Sequence, residues 1–209
     1  MVPTGKKCNN VTQPAGAHSD LEVLTARAQA GDRQAFDNLV DRFWPDIFRM
    51  VYYRVRSAMD AEDLAQDIFV VVFRRIKSLK DPSQFRPWLF TIALNCVRDF
   101  QRKKRFREVF GFFTGGDEDA VGYYAVSDEP GPLHNIMRQD FWEHVGSFLS
   151  KLSRLEKEAF TLRFMDQLSI GEIAEVLGKG QSTIKTHLYR ALTKFRKESR
   201  LVGLLEGME

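Results

Sequence analysis

Hydroxyl, amine and guanidinium side chains crowd the stretch from residue 182 to residue 190 of this 209-residue chain. Ile184 and Leu188 lie four residues apart, a spacing that puts both on one face of a helix and leaves the polar side chains outside. Lysine and arginine donate to guanine acceptors or to phosphate, threonine donates or accepts, and tyrosine packs against the methyl group of thymine. We therefore predict a DNA-binding helix with contacts from Ser182, Thr183, Lys185, Thr186, Tyr189 and Arg190.

The elements around this helix have the layout of a helix-turn-helix. Ser169 and Glu172 have the spacing of a capping box, so a short helix is predicted to begin there and to end at Gly178. After a short turn, Ser182 is predicted as the N-cap of a longer basic helix, which in this layout enters the major groove. An ordinary helical hairpin with a solvated basic face has the same pattern and remains an alternative. Phosphate contacts are expected from Lys194, Arg196 and Lys197.

A second polar group lies at the start of another predicted helix. Asp60 is predicted to open this helix, and Leu64 and Ile68 to anchor it in the core. The opposite face carries carboxylates and an amide, which suit a basic helical partner through charge-assisted hydrogen bonds. Acids near a helix N-terminus also complement the helix dipole, an alternative that explains Asp67 less well because it lies more than a turn inside. The predicted protein-binding set is Asp60, Glu62, Asp63, Gln66 and Asp67.

A third polar face follows a helix predicted to begin near Pro87, whose fixed φ suits a first turn. Opposite the apolar stripe of this helix, amide and guanidinium groups are placed to read base edges or to hold phosphates. This face comprises Thr91, Asn95, Arg98 and Arg102, and the basic run Gln101–Arg107 continues it. The aromatic residues Phe85, Trp88 and Phe100 are predicted to be core rather than base-stacking.

Helical periodicity runs through most of the chain, and strand signals are missing. This pattern predicts an all-α protein with two small helical domains joined by a flexible linker. The predicted boundaries are a mobile tail at 1–19, a first domain at 20–108, a linker at 109–132 and a second domain at 133–209. Asp20 and Asp32 are predicted N-caps, and Pro45 is predicted to kink or split the helix that follows Asp32.

Composition narrows the class of protein. The net charge is only +3, but basic and acidic residues are segregated along the chain, which suggests separate surfaces for anionic and cationic partners. Cys8 and Cys96 cannot form a disulfide framework. The first 18 residues lack the apolar stretch of a secretory signal, and no run of about 18 apolar residues could span a bilayer. We therefore expect a cytoplasmic protein.

Two blocks of the chain resemble the sigma-70 family of bacterial RNA polymerase sigma factors. Leu152–Phe164 with Leu168–Gly178 and Ser182–Ala191 are similar to the family's C-terminal domain, whose helix-turn-helix reads the −35 promoter element. Asp60–Phe69 resembles the segment that docks on the polymerase clamp helices. Phe85–Asn95 and its continuation resemble the region that recognises and opens the −10 element.

The resemblance implies a sigma factor of the small extracytoplasmic-function (ECF) group, because the chain has no room for the additional domains of housekeeping sigma factors. It implies three partners: core RNA polymerase, promoter DNA and an anti-sigma factor, with the protein a monomer when free of polymerase. The resemblance also implies that the pocket for an exposed −10 base lies near the loop Lys77–Gln84. It implies further that the linker Phe110–Leu133 extends towards the polymerase active-site cleft. The acids of that linker are Asp117, Glu118, Asp119, Asp128 and Glu129.

Three other functions are alternatives to that of a sigma factor. A stand-alone helix-turn-helix regulator would leave the blocks at residues 60–67 and 85–105 unexplained, and a sigma-like adaptor would bind polymerase without opening promoters. A metal-dependent hydrolase is disfavoured, because the four histidines are scattered and no facing carboxylate helix completes a metal cage. No glycine-rich phosphate loop occurs either. We therefore predict neither a cofactor nor enzymatic activity.

Overall fold

The computed structural model describes the backbone of residues 15–111 and 144–198, and the side chains of residues 20–107 and 144–198. The first stretch, called here the N-terminal half, contains α1 (Ala15–Gln29), α2 (Arg33–Val55), α3 (Ala58–Arg75) and α4 (Phe85–Gly111). The second stretch, the C-terminal half, contains α5 (described for 144–150), α6 (Arg154–Phe164), α7 (Ile170–Leu177) and α8 (Gln181–Phe195). Neither described stretch contains a strand, and the predicted all-α fold with two helical domains is confirmed. Within these stretches, no helix is both long and apolar enough to cross a bilayer.

Helix α2 is the centre of the N-terminal half and packs against both α1 and α3. The Asp32 carboxylate accepts the N–H of Ala35 at 3.1 Å, so Asp32 caps α2 as predicted. The preceding turn contains Gly31 at a φ of 97°, a conformation that side chains other than glycine rarely adopt. The spacing of three and four residues along α2 buries Phe36, Leu39, Phe43, Ile47, Met50 and Val51.

Two predictions about the N-terminal helices are corrected. Helix α1 begins at Ala15, so Asp20 lies inside the helix and is not its N-cap. Helix α3 begins at Ala58 and not at Asp60. Its cap is Ser57, whose hydroxyl accepts the N–H of Asp60 at 3.2 Å. Of the two outcomes predicted at Pro45, a split does not occur, because α2 is a single helix in which Pro45 is exposed.

Helix α4 begins near Pro87 as predicted, but it ends later than predicted. Two short 3-10 turns, Ile76–Ser78 and Pro82–Gln84, lead into it from α3, and it begins at Phe85 with Pro87 inside the first turn. It continues to Gly111, which lies within the segment predicted as linker. The remainder of that segment, with its acidic residues, lies outside the described residues, as do residues 133–143 of the predicted second domain.

Capping residues define the helices of the C-terminal half. Ser153 with Glu156, and Ser169 with Glu172, form two reciprocal capping boxes, of which the second is the one predicted above from its spacing. Gly178, with a φ of 59°, ends α7 as predicted. The prediction that Ser182 caps α8 is wrong: Gly180 takes the extended conformation of an N-cap and α8 begins at Gln181. Glycine is tolerated at this position, and the cap makes no side-chain hydrogen bond.

The two halves pack directly against each other. Helix α4 of the N-terminal half contacts α7 of the C-terminal half. A single cluster of buried apolar side chains includes Leu89 and Leu94 from one half and Ile173 and Ile184 from the other. The packing of one domain on the other was not predicted, because helical periodicity shows which face is buried but not which helix covers it.

Candidate nucleic-acid and protein-binding surfaces

The polar side chains within residues 182–190 lie on one exposed surface, called here the α8 reading face. Ile184 and Leu188 point inward and expose 1% and 7% of their surfaces, as their spacing predicted. Tyr189, by contrast, is 70% exposed. The other predicted contact residues are also exposed: Ser182, Thr183, Lys185, Thr186 and Arg190. These side chains can meet base edges without any rearrangement of α8.

Lys194 joins the C-terminal turn of α8 to α6 through an ion pair and a hydrogen bond. The Lys194 ammonium lies 2.7 Å from Oε2 of Glu156 and also donates to the carbonyl of Lys151 at 3.4 Å. The Lys194 ammonium and the N–H of Ser153 together hold the pKa of Glu156 below its ordinary value. Lys194, which was expected to bind phosphate, is therefore engaged in holding α8 on α6. Arg196 and Lys197 remain exposed.

Helix α3 presents the acidic residues as predicted, on a surface called here the α3 acidic face. Leu64 and Ile68 are buried, with 8% and 0% of their surfaces exposed, and they turn the opposite side of the helix outward. Asp60, in the first turn, is partly buried. Four of the five predicted residues are exposed, namely Glu62, Asp63, Gln66 and Asp67.

An exposed apolar stripe accompanies the α3 acidic face, and the sequence analysis missed it. Met59, Val70 and Phe73 expose 74%, 46% and 60% of their surfaces. These three apolar residues alternate with two residues of the α3 acidic face at intervals of three and four, a spacing that places all five on one side of the helix. In chain order they are Met59, Asp63, Gln66, Val70 and Phe73. Val70 and Phe73 belong to an unbroken apolar run that resembles core, and only their helical spacing from Met59 places them on the outer face.

The third predicted set, called here the α4 polar face, is not uniformly open. Thr91 is half-buried and its hydroxyl donates to the carbonyl of Pro87 at 2.8 Å, whereas Asn95 is exposed. Arg98 is half-buried and pairs with Glu158 of the C-terminal half at 3.2 Å. Arg102 is exposed and lies 3.2 Å from Asp99, one turn before it on the same helix. The structure therefore aligns the four residues on one helix but commits Arg98 to another contact.

Gln29 of α1 fixes the loop that precedes α4. Its amide donates to the carbonyls of Ile76 and Leu79 at 3.0 and 2.6 Å. These bonds join residues 47 and 50 positions apart, and no local pattern could have revealed them. The loop leaves Lys77, Ser78 and Lys80 exposed beside α4.

Three arginines of the N-terminal half pair with three acids of the C-terminal half. Arg54 lies 2.6 Å from Asp166, Arg86 lies 2.8 Å from Glu172, and the third pair is that of Arg98 with Glu158. Burial raises the pKa of Asp166 even though the Arg54 guanidinium faces it. Burial also acts to raise the pKa of Glu172, but the Arg86 guanidinium and the Ser169 N–H outweigh it and hold that pKa below the ordinary value.

No group of three or more His, Cys, Asp and Glu side chains within the described ranges converges to hold a metal ion. The acids of α3 follow the outer surface of a single helix, and none of the helices described for residues 15–111 and 144–198 places carboxylates opposite them. The described surfaces are suited to binding macromolecules.

Comparison with known proteins matches both halves to one family. Residues 39–107 match sigma-70 region 2, and residues 144–195 match sigma-70 region 4. The ECF RNA polymerase sigma factor BldN of Streptomyces coelicolor is 36% identical over 171 residues, which are 81% of this chain and 62% of BldN. The RNA polymerase sigma factor CnrH of Cupriavidus metallidurans is 32% identical over 173 residues, which are 82% of this chain and 90% of CnrH.

The fold is also found in a solved complex of the second relative. The structure of CnrH with the cytosolic domain of CnrY matches this chain with a TM-score of 0.60 at 25% identity, covering 90% of this chain and 99% of that one. A stand-alone helix-turn-helix regulator would account for the C-terminal half alone, whereas both halves match one family in the order its members have. The chain therefore belongs to the sigma-70 family of RNA polymerase sigma factors, in its extracytoplasmic-function group.

Proposed function

We propose that this chain directs core RNA polymerase to specific promoters and assists promoter opening, with each step carried by a different surface. The observation that carries the proposal is that the α8 reading face and the α3 acidic face are both exposed and lie in separate halves of one chain. A protein that links an enzyme to DNA needs two such surfaces.

The α8 reading face is proposed to read the −35 element in the major groove. Lys185 and Arg190 supply the strongest donors, and both are exposed, Lys185 in the second turn of α8 and Arg190 in the third. In a helix-turn-helix this second helix lies in the major groove. Arg196 and Lys197, near the end of the helix, are placed to contact phosphate and would make binding depend on salt concentration.

The α3 acidic face is proposed to dock on core polymerase. Asp63 and Asp67 supply charge for a basic helical partner, and Val70 and Phe73 supply apolar surface that would be removed from water on binding. A mixed surface of this kind is typical of interfaces, in which an apolar centre is surrounded by a polar rim. The apolar stripe therefore extends the docking surface beyond the five residues that the sequence indicated.

The α4 polar face, with the loop before it, is proposed to hold the −10 element after it opens. Asn95 and Arg102 are exposed, and their amide and guanidinium groups suit base edges and phosphate respectively. The loop fixed by Gln29 lies at the start of the same helix and exposes Lys77 and Lys80. Bases that leave the stack need such a site close to the strand that holds them.

A protein partner is also proposed. The relative CnrH has been solved with the cytosolic domain of CnrY, and the ECF group of this chain implies an anti-sigma factor. Such a partner would compete with polymerase for exposed apolar surface, of which Met59, Val70 and Phe73 form the stripe on α3.

Run-off transcription tests the proposed function. Purified core polymerase and a promoter library are combined with and without this protein, and the transcripts are sequenced. Transcripts from a discrete promoter set that depend on the protein are the expected result. Binding of duplex DNA by the protein alone, without transcripts, would instead support a stand-alone regulator, and polymerase binding without transcripts would support an adaptor.

A further inference from the structure

The loop between α3 and α4, residues 76–84, is shaped in part by its own side chains. The Ser78 hydroxyl donates to the carbonyl of Arg75 at 2.7 Å. The Asp81 carboxylate accepts the N–H and the hydroxyl of Ser83 at 2.9 and 2.7 Å. These bonds join residues two or three positions apart, so they shape the turns of the loop but do not set its direction relative to another helix.

Gln29 makes bonds of a different kind, because it belongs to α1. Its Nε2 atom carries two hydrogens, and the bonds to the carbonyls of Ile76 and Leu79, at 3.0 and 2.6 Å, use both of them. The same two loop residues bury their side chains, with 3% and 8% of their surfaces exposed. One amide of α1 therefore holds the backbone at both buried positions of the loop.

The residues next to these two positions project outward. Lys77 and Lys80 are exposed, and each directly follows a residue whose carbonyl Gln29 holds. Because a carbonyl lies in the planar peptide unit that joins its residue to the next one, holding it fixes the orientation of that unit. Gln29 thus controls the direction in which the exposed side chains leave the loop.

The bond to Ile76 does more than satisfy a polar group. The carbonyl of Ile76 also accepts the N–H of Leu79 at 3.2 Å, so it has a partner within the loop. A second donor from α1 adds little to the hydrogen bonding of that oxygen, but it ties the oxygen to a rigid helix. Holding a binding loop in one conformation in this way lowers the entropy lost on binding and sharpens the geometry that a ligand must match.

We propose that Gln29 is a positioning residue for −10 recognition, which holds the loop in one orientation and thereby makes the protein discriminate among bases at the −10 position that the loop meets. Gln29 acts through the loop and makes no contact with DNA itself. The role of the loop in −10 recognition rests on the proposed function. The anchoring of the loop by Gln29 does not.

The anchoring is tested on the full chain by hydrogen–deuterium exchange. Gln29→Met keeps a side chain of similar length without donors, and the N–H groups of the loop should exchange about tenfold faster than in the wild type. Thr25→Val is the matched control, because the Thr25 hydroxyl lies one turn earlier on the same face of α1 and donates to Leu21 of that helix. Its loop should exchange at the wild-type rate. Unchanged exchange in the loop of Gln29→Met, or an equal acceleration throughout α2, would overturn the anchoring.

The recognition step is tested by run-off transcription with holoenzyme on one mapped promoter, in which each base of the −10 element is varied in turn. A variant with Lys77, Ser78 and Lys80 changed to alanine identifies the position at which the loop discriminates. At that position Gln29→Met should lower the preference for the best base about tenfold. Preferences at the other positions, and all preferences of Thr25→Val, should stay at wild-type values.

The outcomes separate the positioning role from the proposed function. If Gln29→Met lowers transcription from all templates equally, or leaves the preference at the loop position unchanged, the positioning role is overturned while the loop keeps its function. If the alanine variant of the loop changes no −10 preference, the function proposed for the loop is contradicted, and the positioning role is overturned with it.

Discussion

The α8 reading face and the α4 polar face have similar chemistry but different availability. Every predicted contact residue on α8 is exposed, whereas on α4 Thr91 is half-buried and Arg98 pairs with the other half. The residues proposed to contact DNA on α8 are therefore all accessible in this structure, whereas those proposed on α4 are only partly accessible.

The difference arises from how much of each helix is buried. Helix α8 buries a narrow stripe that includes Ile184 and Leu188, and leaves a broad polar surface. Helix α4 is central to the fold and buries successive residues on several sides, among them Leu89, Phe90, Ala93, Leu94 and Val97. A helix surrounded in this way has only a narrow polar strip left, and a neighbouring domain can cover part of it.

The largest effect is expected at the α3 acidic face, which is exposed like the α8 reading face but is proposed to bind protein. Changing Asp63 and Asp67 to lysine places like charges against a basic partner, a juxtaposition that costs several kcal/mol. We expect the affinity for core polymerase, measured by fluorescence anisotropy, to fall about 100-fold or more, while affinity for −35 duplex DNA is unchanged. The same reversal at Asp37 and Asp41, an exposed pair with the same spacing on α2, is the matched control. Equal losses in both variants would mean that α3 is not the docking surface.

The second-largest effect is expected for substitutions on the α8 reading face. Lys185→Ala and Arg190→Ala should each weaken promoter binding about 10- to 100-fold, because a good contact to a base edge contributes about 1–3 kcal/mol of discrimination. Polymerase binding should remain intact, and Lys157→Ala, an exposed lysine on α6, serves as the control. A mobility-shift titration of holoenzyme on its promoter measures this. Unchanged affinity in both variants would remove the −35 role from α8.

A smaller effect is expected for the ion pair between Glu156 of α6 and Lys194 of α8. The pKa of Glu156 is lowered by Lys194 and by the Ser153 N–H, so its contribution to stability is present above the unfolded-state value near 4.5. That contribution is lost as the pH falls through the lowered pKa of the folded state. We expect Glu156→Gln to cost about 1 kcal/mol at neutral pH, and the difference from wild type to disappear in acid. Urea denaturation at several pH values measures it, with Glu22→Gln as an exposed control. A difference that persists in acid would contradict the assignment to the ionised carboxylate.

The smallest effect distinguishes Ser57, which caps a helix, from Ser182, which was predicted to cap one but does not. Ser57 caps α3 with its hydroxyl, so Ser57→Ala should lower the free energy of unfolding by about 1 kcal/mol. Ser182 lies inside α8, and Ser182→Ala should change it by less than about 0.5 kcal/mol. Thermal denaturation compares the two. A larger loss for Ser182→Ala would show that α8 begins later than Gln181.

Local features of the fold could be predicted from the sequence, and contacts between distant segments could not. The capping boxes at Ser153 and Ser169 and the inward stripe of α8 follow from spacing over a few residues. The ion pair of Arg54 with Asp166 joins positions 112 residues apart, and nothing in the neighbourhood of either residue indicates the other. Because the partner of Arg98 is also distant in sequence, the sequence analysis assigned Arg98 to DNA and did not identify its ion pair with Glu158.

The surface on α3 shows a second limit. Asp63 and Asp67 were recognised because charge on a helix face must be solvated or paired. Val70 and Phe73 were missed because apolar residues in an unbroken run are ordinarily interpreted as core, although their helical spacing from Met59 indicated the exposure that the structure shows. Functional apolar surface is therefore the part of a site that sequence patterns predict least well.

The roles proposed for the α8 reading face and the α4 polar face are tested most directly by footprinting promoter complexes at saturating holoenzyme with two reagents, DNase I for protection of the −35 element and permanganate for unpaired thymines in the −10 element. The double variant Asn95→Ala with Arg102→Ala on α4 is compared with Lys185→Ala and Arg190→Ala on α8. We expect the α4 variant to keep protection of the −35 element but to lose reactive thymines in the −10 element, and the α8 variants to recover those thymines once DNA is saturated. Normal −10 reactivity in the α4 variant, or loss of its −35 protection, would contradict the assignment of promoter recognition to α8 and of promoter opening to α4.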